Sequence, residues 1–160
     1  MINVCHDLFL GDDGDCFYDE RKGWSVLHAC KSPCYDYAKE CIGPTLGGRG
    51  IEGIIYHKGH MFLDLLDRMD MYDDLETGPM LRKAMDFIEK EIKNGKVLVH
   101  CNVCVSRSPS IVMLYLAKRA NSISNKSFRA AAKEFYGYYE YYFPSRGLEQ
   151  YLRRYWNNIE

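Results

Sequence analysis

The 160-residue chain carries almost no net charge, −1 at pH 7, and no apolar stretch near the ~20 residues needed to span a bilayer. So small a charge argues against bulk capture of nucleic acid or of an anionic membrane surface, and any attraction for phosphate has to be local. No secretory leader is expected: Met1-Ile-Asn-Val-Cys-His-Asp7 has no basic start and runs into the polar Gly11-Asp-Asp-Gly-Asp15. Paired cysteine spacing is missing as well. Seven cysteines, an odd number irregularly spaced, do not fit an extracellular disulfide framework. No repeat, linker or low-complexity tract interrupts the chain. Its 47% hydrophobic and 27% charged residues leave no sign of disorder, and a chain of this length buries roughly 70% of its unfolded surface in one core.

What is present is concentrated in His100-Cys-Asn-Val-Cys-Val-Ser-Arg-Ser-Pro-Ser110. The preceding Lys96-Val-Leu-Val-His100 reads as a short buried strand, and Ser108 to Lys118 reads as a helix that tolerates Pro109 in its first turn. Residues 101–107 must therefore wrap tightly against a helix N-terminus. Backbone N–H groups converge there and the helix dipole adds partial positive charge, which suits an anion and favours the thiolate form of a cysteine at the base. Arg107, six positions after Cys101, offers two parallel donors to phosphate oxygens. Ser108 can donate a hydrogen bond to the sulfur.

Cys-x5-Arg-Ser preceded by Val-His resembles the signature of cysteine-dependent protein phosphatases, in the dual-specificity branch, and Asp86-Phe-Ile88 on the preceding helix fits the same family. The resemblance implies a single catalytic domain over residues 1–160 with an α/β, protein-tyrosine-phosphatase-like fold. A mostly parallel sheet of four to five strands would carry helices on both faces. It implies Cys101 as nucleophile and a phosphate cradle of Asn102, Val103, Cys104, Val105, Ser106 and Arg107. Ser108 would assist the sulfur, and His100 would tune the nucleophile or simply close the strand. The substrate would be a phosphorylated protein or peptide, with neither metal nor cofactor required, in a reducing compartment such as the cytoplasm.

The family also needs a general acid on a loop upstream of the cysteine, because an alkoxide or phenolate leaves badly unless protonated. Asp67 directly follows the apolar run Met61-Phe-Leu-Asp-Leu-Leu66, where a strand end would present it to the same sheet edge as Cys101. Asp70 is the alternative, at the more usual family spacing. The strand argument favours Asp67. Asp64, Asp73 and Asp74 read as solvated turn or helix-cap carboxylates.

One position departs from the family pattern: Cys104 stands where glycine is usual. A side chain there is expected to narrow or distort the loop, which leaves open a phospho-residue binding module with little turnover. Cys101-Asn-Val-Cys104 also forms a C-x-x-C at a strand-to-helix junction, so a redox role or a protective reversible disulfide stays open. Cys30, Cys34 and Cys41 with His28 lack a matching second pair of zinc ligands, and no zinc site is expected among them. His57 and His60 read as exposed loop residues. Gly48-Arg-Gly-Ile-Glu-Gly53 matches a dinucleotide fingerprint but leads into Ile54-Ile-Tyr56 rather than a helix, and is rejected.

Further elements follow from the pattern. A strand is expected over residues 3–10 with a turn at Gly11, a short helix over 16–22 ended by Gly23, a strand over 24–30 and a helix over 33–41. A glycine-rich loop covers 42–53, and a long helix covers about 78–94 with Pro79 at its start and an apolar stripe of Leu81, Ala84, Met85, Ile88 and Ile92. Two last helices span 125–135 and 145–157. The segment Phe135-Tyr-Gly-Tyr-Tyr-Glu-Tyr-Tyr-Phe143 reads mainly as packing. Its rings could also bracket a phosphotyrosine or, with Arg129, Arg146, Arg153 and Arg154, stack RNA bases, which keeps an RNA 5′-phosphatase open.

Overall fold

A computed structural model describes residues 1–43 and 53–160. Most of the glycine-rich stretch, and the rejected fingerprint with it, lies outside the described residues. Six strands form one sheet: β1 (Ile2–Cys5), β2 (Leu8–Gly11), β3 (Trp24–His28), β4 (Ile54–His57), β5 (His60–Leu63) and β6 (Lys96–His100). Their order is β1-β2-β6-β3-β5-β4, with β2, β6, β3 and β5 parallel and antiparallel edges at β1 and β4. The helices are α1 (Asp36–Cys41), α2 (Asp74–Glu91), α3 (Arg107–Lys118), α4 (Phe128–Phe135) and α5 (Arg146–Tyr155).

The α/β architecture matches the expectation, with six strands rather than four to five. The single strand expected over 3–10 is a hairpin, because His6 takes φ +45° and reverses the chain. A second hairpin turns through Lys58 and Gly59, both at positive φ, the two-residue turn that suits twisted antiparallel strands. His60 is therefore not an exposed loop residue. It opens β5 and is buried, while His57 ends β4 half-buried.

Alternation along the strands divides the side chains between two faces. Leu8, Leu10, Leu27, Met61, Leu63, Val97 and Val99 build the main core under α2 and α3, each such side chain contributing about 1.5–3 kcal/mol on full burial. The opposite face, with Val26, Leu98 and Trp24, is covered by Phe17 and Tyr18, while Tyr37 of α1 meets Tyr18 at 4.5 Å. That cover explains why residues 16–22 do not form the expected helix. Phe17 packs edge-on against Trp24 and His60, and Tyr18 stacks on His28 and Phe62, so tertiary ring contacts override local helix preference.

α2 starts four residues earlier than the Pro79 signal suggests. Asp73 caps it by accepting from the Leu75 N–H at 2.8 Å. Pro79 removes the bond that would reach the Leu75 carbonyl, but Leu75 is 86% exposed and water can serve that oxygen. Glu91 closes α2, three residues short of the expected end. Ser127 caps α4 through the Ala130 N–H. Among the described residues no helix is long and apolar enough to cross a membrane.

Candidate active site

β6 ends at His100, residues 101–106 loop back, and α3 begins at Arg107, so the strand–loop–helix unit stands as the sequence implies. Cys101 lies at the base with 1% exposure, and the Ser108 hydroxyl donates to its sulfur at 3.1 Å. The same hydroxyl is 3.7 Å from the Cys104 sulfur. Cys104 has φ +55°, the left-handed conformation that explains why glycine is usual here. The cysteine adopts the backbone shape a glycine would supply, at a conformational cost of about 1–3 kcal/mol. Burial pushes its thiol above the ordinary range. Val103 is exposed on the loop's outer edge, whereas Ser106 is buried.

Arg107 is only 6% exposed, and its fork is held on both sides. Nη1 donates to the Leu65 carbonyl at 2.9 Å, Nη2 to Asn102 Oδ1 at 2.5 Å, and Nε stands 3.7 Å from Asp67 Oδ2. The other carboxylate oxygen of Asp67 accepts from the Ser106 hydroxyl at 3.0 Å. Asp67 thus meets the loop although it is exposed, as Asp70 is. Asp64 pairs with Lys31 at 2.7 Å, Asp73 caps α2, and Asp74 accepts from Tyr151. The chain around Asp67 is fastened from behind: Tyr72 donates to the Leu66 carbonyl and accepts from the Arg68 N–H, and the Gly147 N–H donates to the Arg68 carbonyl at 3.1 Å.

The aromatic segment divides between core and surface. Phe135, Tyr139 and Tyr142 are buried; Tyr136, Tyr138, Tyr141 and Phe143 are exposed. The Tyr139 hydroxyl donates to the Cys104 carbonyl at 2.8 Å, Tyr142 meets Ser110 at 3.0 Å, and the Phe143 N–H donates to the Val105 carbonyl at 2.8 Å. These rings brace the candidate loop, a role that ring count in the sequence does not reveal. Gly147 was equally hidden, because it acts through the distant Arg68 carbonyl, and Tyr72 because it acts through nearby backbone groups that no motif marks.

Residues 58–135, which include Asp67 and the whole loop, match the model of the dual specificity phosphatase catalytic domain. That segment, just under half of the chain, is similar to the dual-specificity phosphatase catalytic domain. Human dual specificity protein phosphatase 16 is 44% identical over 52 residues, 32% of this chain and 8% of that protein. Human dual specificity protein phosphatase 5 is 55% identical over 38 residues, 23% of this chain and 10% of that protein. The matched segments are thus a tenth or less of these curated relatives. Among solved structures, human DUSP28 superposes with a TM-score of 0.64 at 18% identity, covering 99% of this chain and 93% of that one. Human tyrosine phosphatase-like serine/threonine/tyrosine-interacting protein gives 0.60 at 19% identity, over 96% and 93%. At these identities the likeness is one of fold.

Behind the candidate loop, three histidines form a chain across the sheet. His100 Nε2 is 2.7 Å from His28 Nδ1, and His28 Nε2 is 3.0 Å from His60 Nδ1. Burial pushes all three imidazoles below the usual histidine range. Cys16 and Cys34 approach the same place, and Cys34's hydrogen bond lowers the Cys16 thiol. The sequence grouping of Cys30, Cys34, Cys41 and His28 is therefore not the one the fold assembles: Cys16 and His100 join Cys34 and His28 instead. Their separations in sequence, 12 residues from Cys16 to His28 and 66 from Cys34 to His100, hide the set from any motif.

Proposed function

We propose that this chain hydrolyses phosphate monoesters on proteins, with phosphotyrosine as the preferred side chain and phosphoserine or phosphothreonine as further substrates. The observation that carries this reading is the convergence of Cys101, Ser108, Arg107 and Asp67 on one loop. In the first half-reaction the Cys101 thiolate attacks phosphorus in line. The S–P bond forms as the P–O ester bond breaks, Asp67 gives its proton to the leaving oxygen, and Arg107 with the loop N–H groups holds the equatorial oxygens. In the second, Asp67 takes a proton from water, the resulting oxygen attacks phosphorus, and the S–P bond breaks to regenerate the thiolate while inorganic phosphate leaves. Ser108, already donating to the sulfur, stabilises that leaving thiolate.

The bonds to Arg107 fit this sequence. Leu65 and Asn102 hold the guanidinium plane at the loop's edge, so little side-chain freedom remains to be lost when phosphate arrives. Phe143 is 76% exposed and its N–H is bonded to the loop, and an exposed aromatic residue so close in the chain to the loop contact supports a phosphotyrosine substrate. The RNA reading is weaker. Arg153 is engaged by Glu149 at 2.6 Å and Arg154 lies over Tyr155, so these cations are already partnered. The left-handed Cys104 also favours turnover over a binding-only module, because the loop keeps its turn. Phosphate release from a phosphotyrosine peptide, a phosphoserine peptide and a 5′-triphosphate RNA tests the assignment. Faster release from the RNA, or tight peptide binding without release, would replace it.

A further inference from the structure

On the sheet face opposite α2 and α3, four side chains converge from four segments. Cys16 follows a 3-10 turn over Asp13–Asp15, His28 ends β3, Cys34 lies in the turn leading into α1, and His100 ends β6 directly across from His28. Each offers one donor atom, and all four atoms lie within 4.8 Å of one another. Cys16 Sγ is 3.6 Å from His28 Nδ1 and 4.0 Å from Cys34 Sγ, Cys34 Sγ is 4.0 Å from His100 Nε2, and the two imidazole nitrogens are 2.7 Å apart. Zinc bonds of about 2.3 Å to sulfur and about 2.0–2.1 Å to nitrogen, at tetrahedral angles, require separations of roughly 3.3 Å between nitrogens, 3.6 Å between nitrogen and sulfur and 3.8 Å between sulfurs. Four of the six separations lie within about 0.6 Å of these values and all six are within 4.8 Å, so side-chain adjustments of up to roughly 1 Å, with the two imidazoles parting, bring the cluster to that geometry.

We propose that Cys16, His28, Cys34 and His100 form a structural zinc site. Two thiolates and two neutral imidazoles cancel the charge of the dication, which suits a place where His28, His100 and Cys34 are almost wholly buried. Binding displaces one proton from each thiol to solvent and changes no oxidation state. Tetrahedral S2N2 coordination suits zinc, and four protein ligands leave no open position for chemistry. The surroundings are those of a metal site. With Nδ1 on the metal, His28 carries its proton on Nε2 and donates it to His60 at 3.0 Å, fixing the tautomer and ring plane. Tyr18 donates to the Cys34 sulfur at 3.3 Å.

The site would clamp the back of the phosphatase loop. His100 precedes Cys101, the Asp13 N–H donates to the Asn102 carbonyl at 3.2 Å, and the Asn102 amide donates to the Ser32 carbonyl at 3.1 Å. Three of the four ligands thus sit within three residues of a group that touches the loop. This inference stands apart from the proposed hydrolysis and is tested without it.

The experiment is metal analysis of the full chain, reconstituted with zinc under reductant and desalted. About one zinc per chain is expected, abolished in Cys16→Ser/Cys34→Ser and retained in Cys101→Ser/Cys104→Ser. His60→Gln should weaken zinc by ~10–100-fold in chelator competition, since it removes only the partner of a ligand. Cobalt in place of zinc should give thiolate charge-transfer and tetrahedral d–d bands in the wild type, a readout that holds even if the serine variant fails to fold. Zinc no higher than in that variant, an octahedral cobalt spectrum, or cobalt bands lost with Cys101 and Cys104 would overturn the proposal.

Discussion

The Tyr139 hydroxyl donates a 2.8 Å hydrogen bond to the carbonyl of Cys104, the residue that holds the loop's left-handed turn. A residue 35 positions away thereby fixes the backbone at the position where this chain departs from the dual-specificity phosphatase pattern. Burial raises the Tyr139 phenol, so it remains a donor at neutral pH. Tyr139→Phe should cost about 0.5–1.5 kcal/mol in denaturant unfolding, with the Cys104 carbonyl left unpaired, and should lower turnover of an aryl phosphate. Unchanged stability and turnover would remove Tyr139 from the support of the loop.

Cys104→Gly removes the left-handed penalty and also a buried sulfur, so stability should move by no more than about 1 kcal/mol and activity should persist. Its effect should appear under oxidation. Ser108 contacts both sulfurs, which makes Cys104 the candidate to trap an oxidised Cys101 as a disulfide. After peroxide and then reductant, wild type should regain activity and Cys104→Gly should not; equal recovery would dismiss the protective disulfide.

Asp67→Asn should lower turnover by ~10²–10⁴-fold and flatten the limb of the pH–rate profile that reports the acid. Asp70→Asn, at an exposed carboxylate, should stay near wild type. The reverse pattern would transfer the role to Asp70.

Gly147→Ala tests whether the Asp67 segment must be held from behind. A Cβ at Gly147 would stand 2.0 Å from the Asp70 carbonyl oxygen and 2.7 Å from that of Arg68, both backbone atoms that cannot swing away. The variant should lose about 1–3 kcal/mol of stability and, through displacement of Asp67, as much as ~10²-fold in turnover. Wild-type turnover in a destabilised variant would show that the segment positions nothing.

The loop was legible because it is local. Cys101, Arg107 and Ser108 lie between an apolar strand and a helix start, and the same short stretch that carries the family resemblance also dictates the turn. Asp67 was picked out as the charge ending an apolar run, but β5 stops at Leu63 and Asp67 reaches the loop from the connection that follows rather than from a strand end. Cys104 was expected to narrow or distort the loop, whereas it takes the φ of +55° that a glycine would supply. What could not be read is long-range or depends on a single torsion. The β1–β2 hairpin turns on His6 adopting φ +45°, which nothing in its neighbours requires. Residues 16–22 lose their helix to ring contacts with β3 and β5. His60 looks like part of a polar turn, and only the pairing of β5 with β3 buries it against His28. Cys16 and His100 are 84 positions apart, and the register of β3 on β6 brings their neighbourhoods together.

The most direct test of the account is acid-quench trapping of the full chain, kept reduced, with a labelled phosphotyrosine peptide, followed by mapping of the label. One phosphoryl group is expected on Cys101, accumulating further when Asp67→Asn slows its hydrolysis by water and absent in Cys101→Ser. Phosphate release that persists in Cys101→Ser, or a label on any other residue, would contradict it.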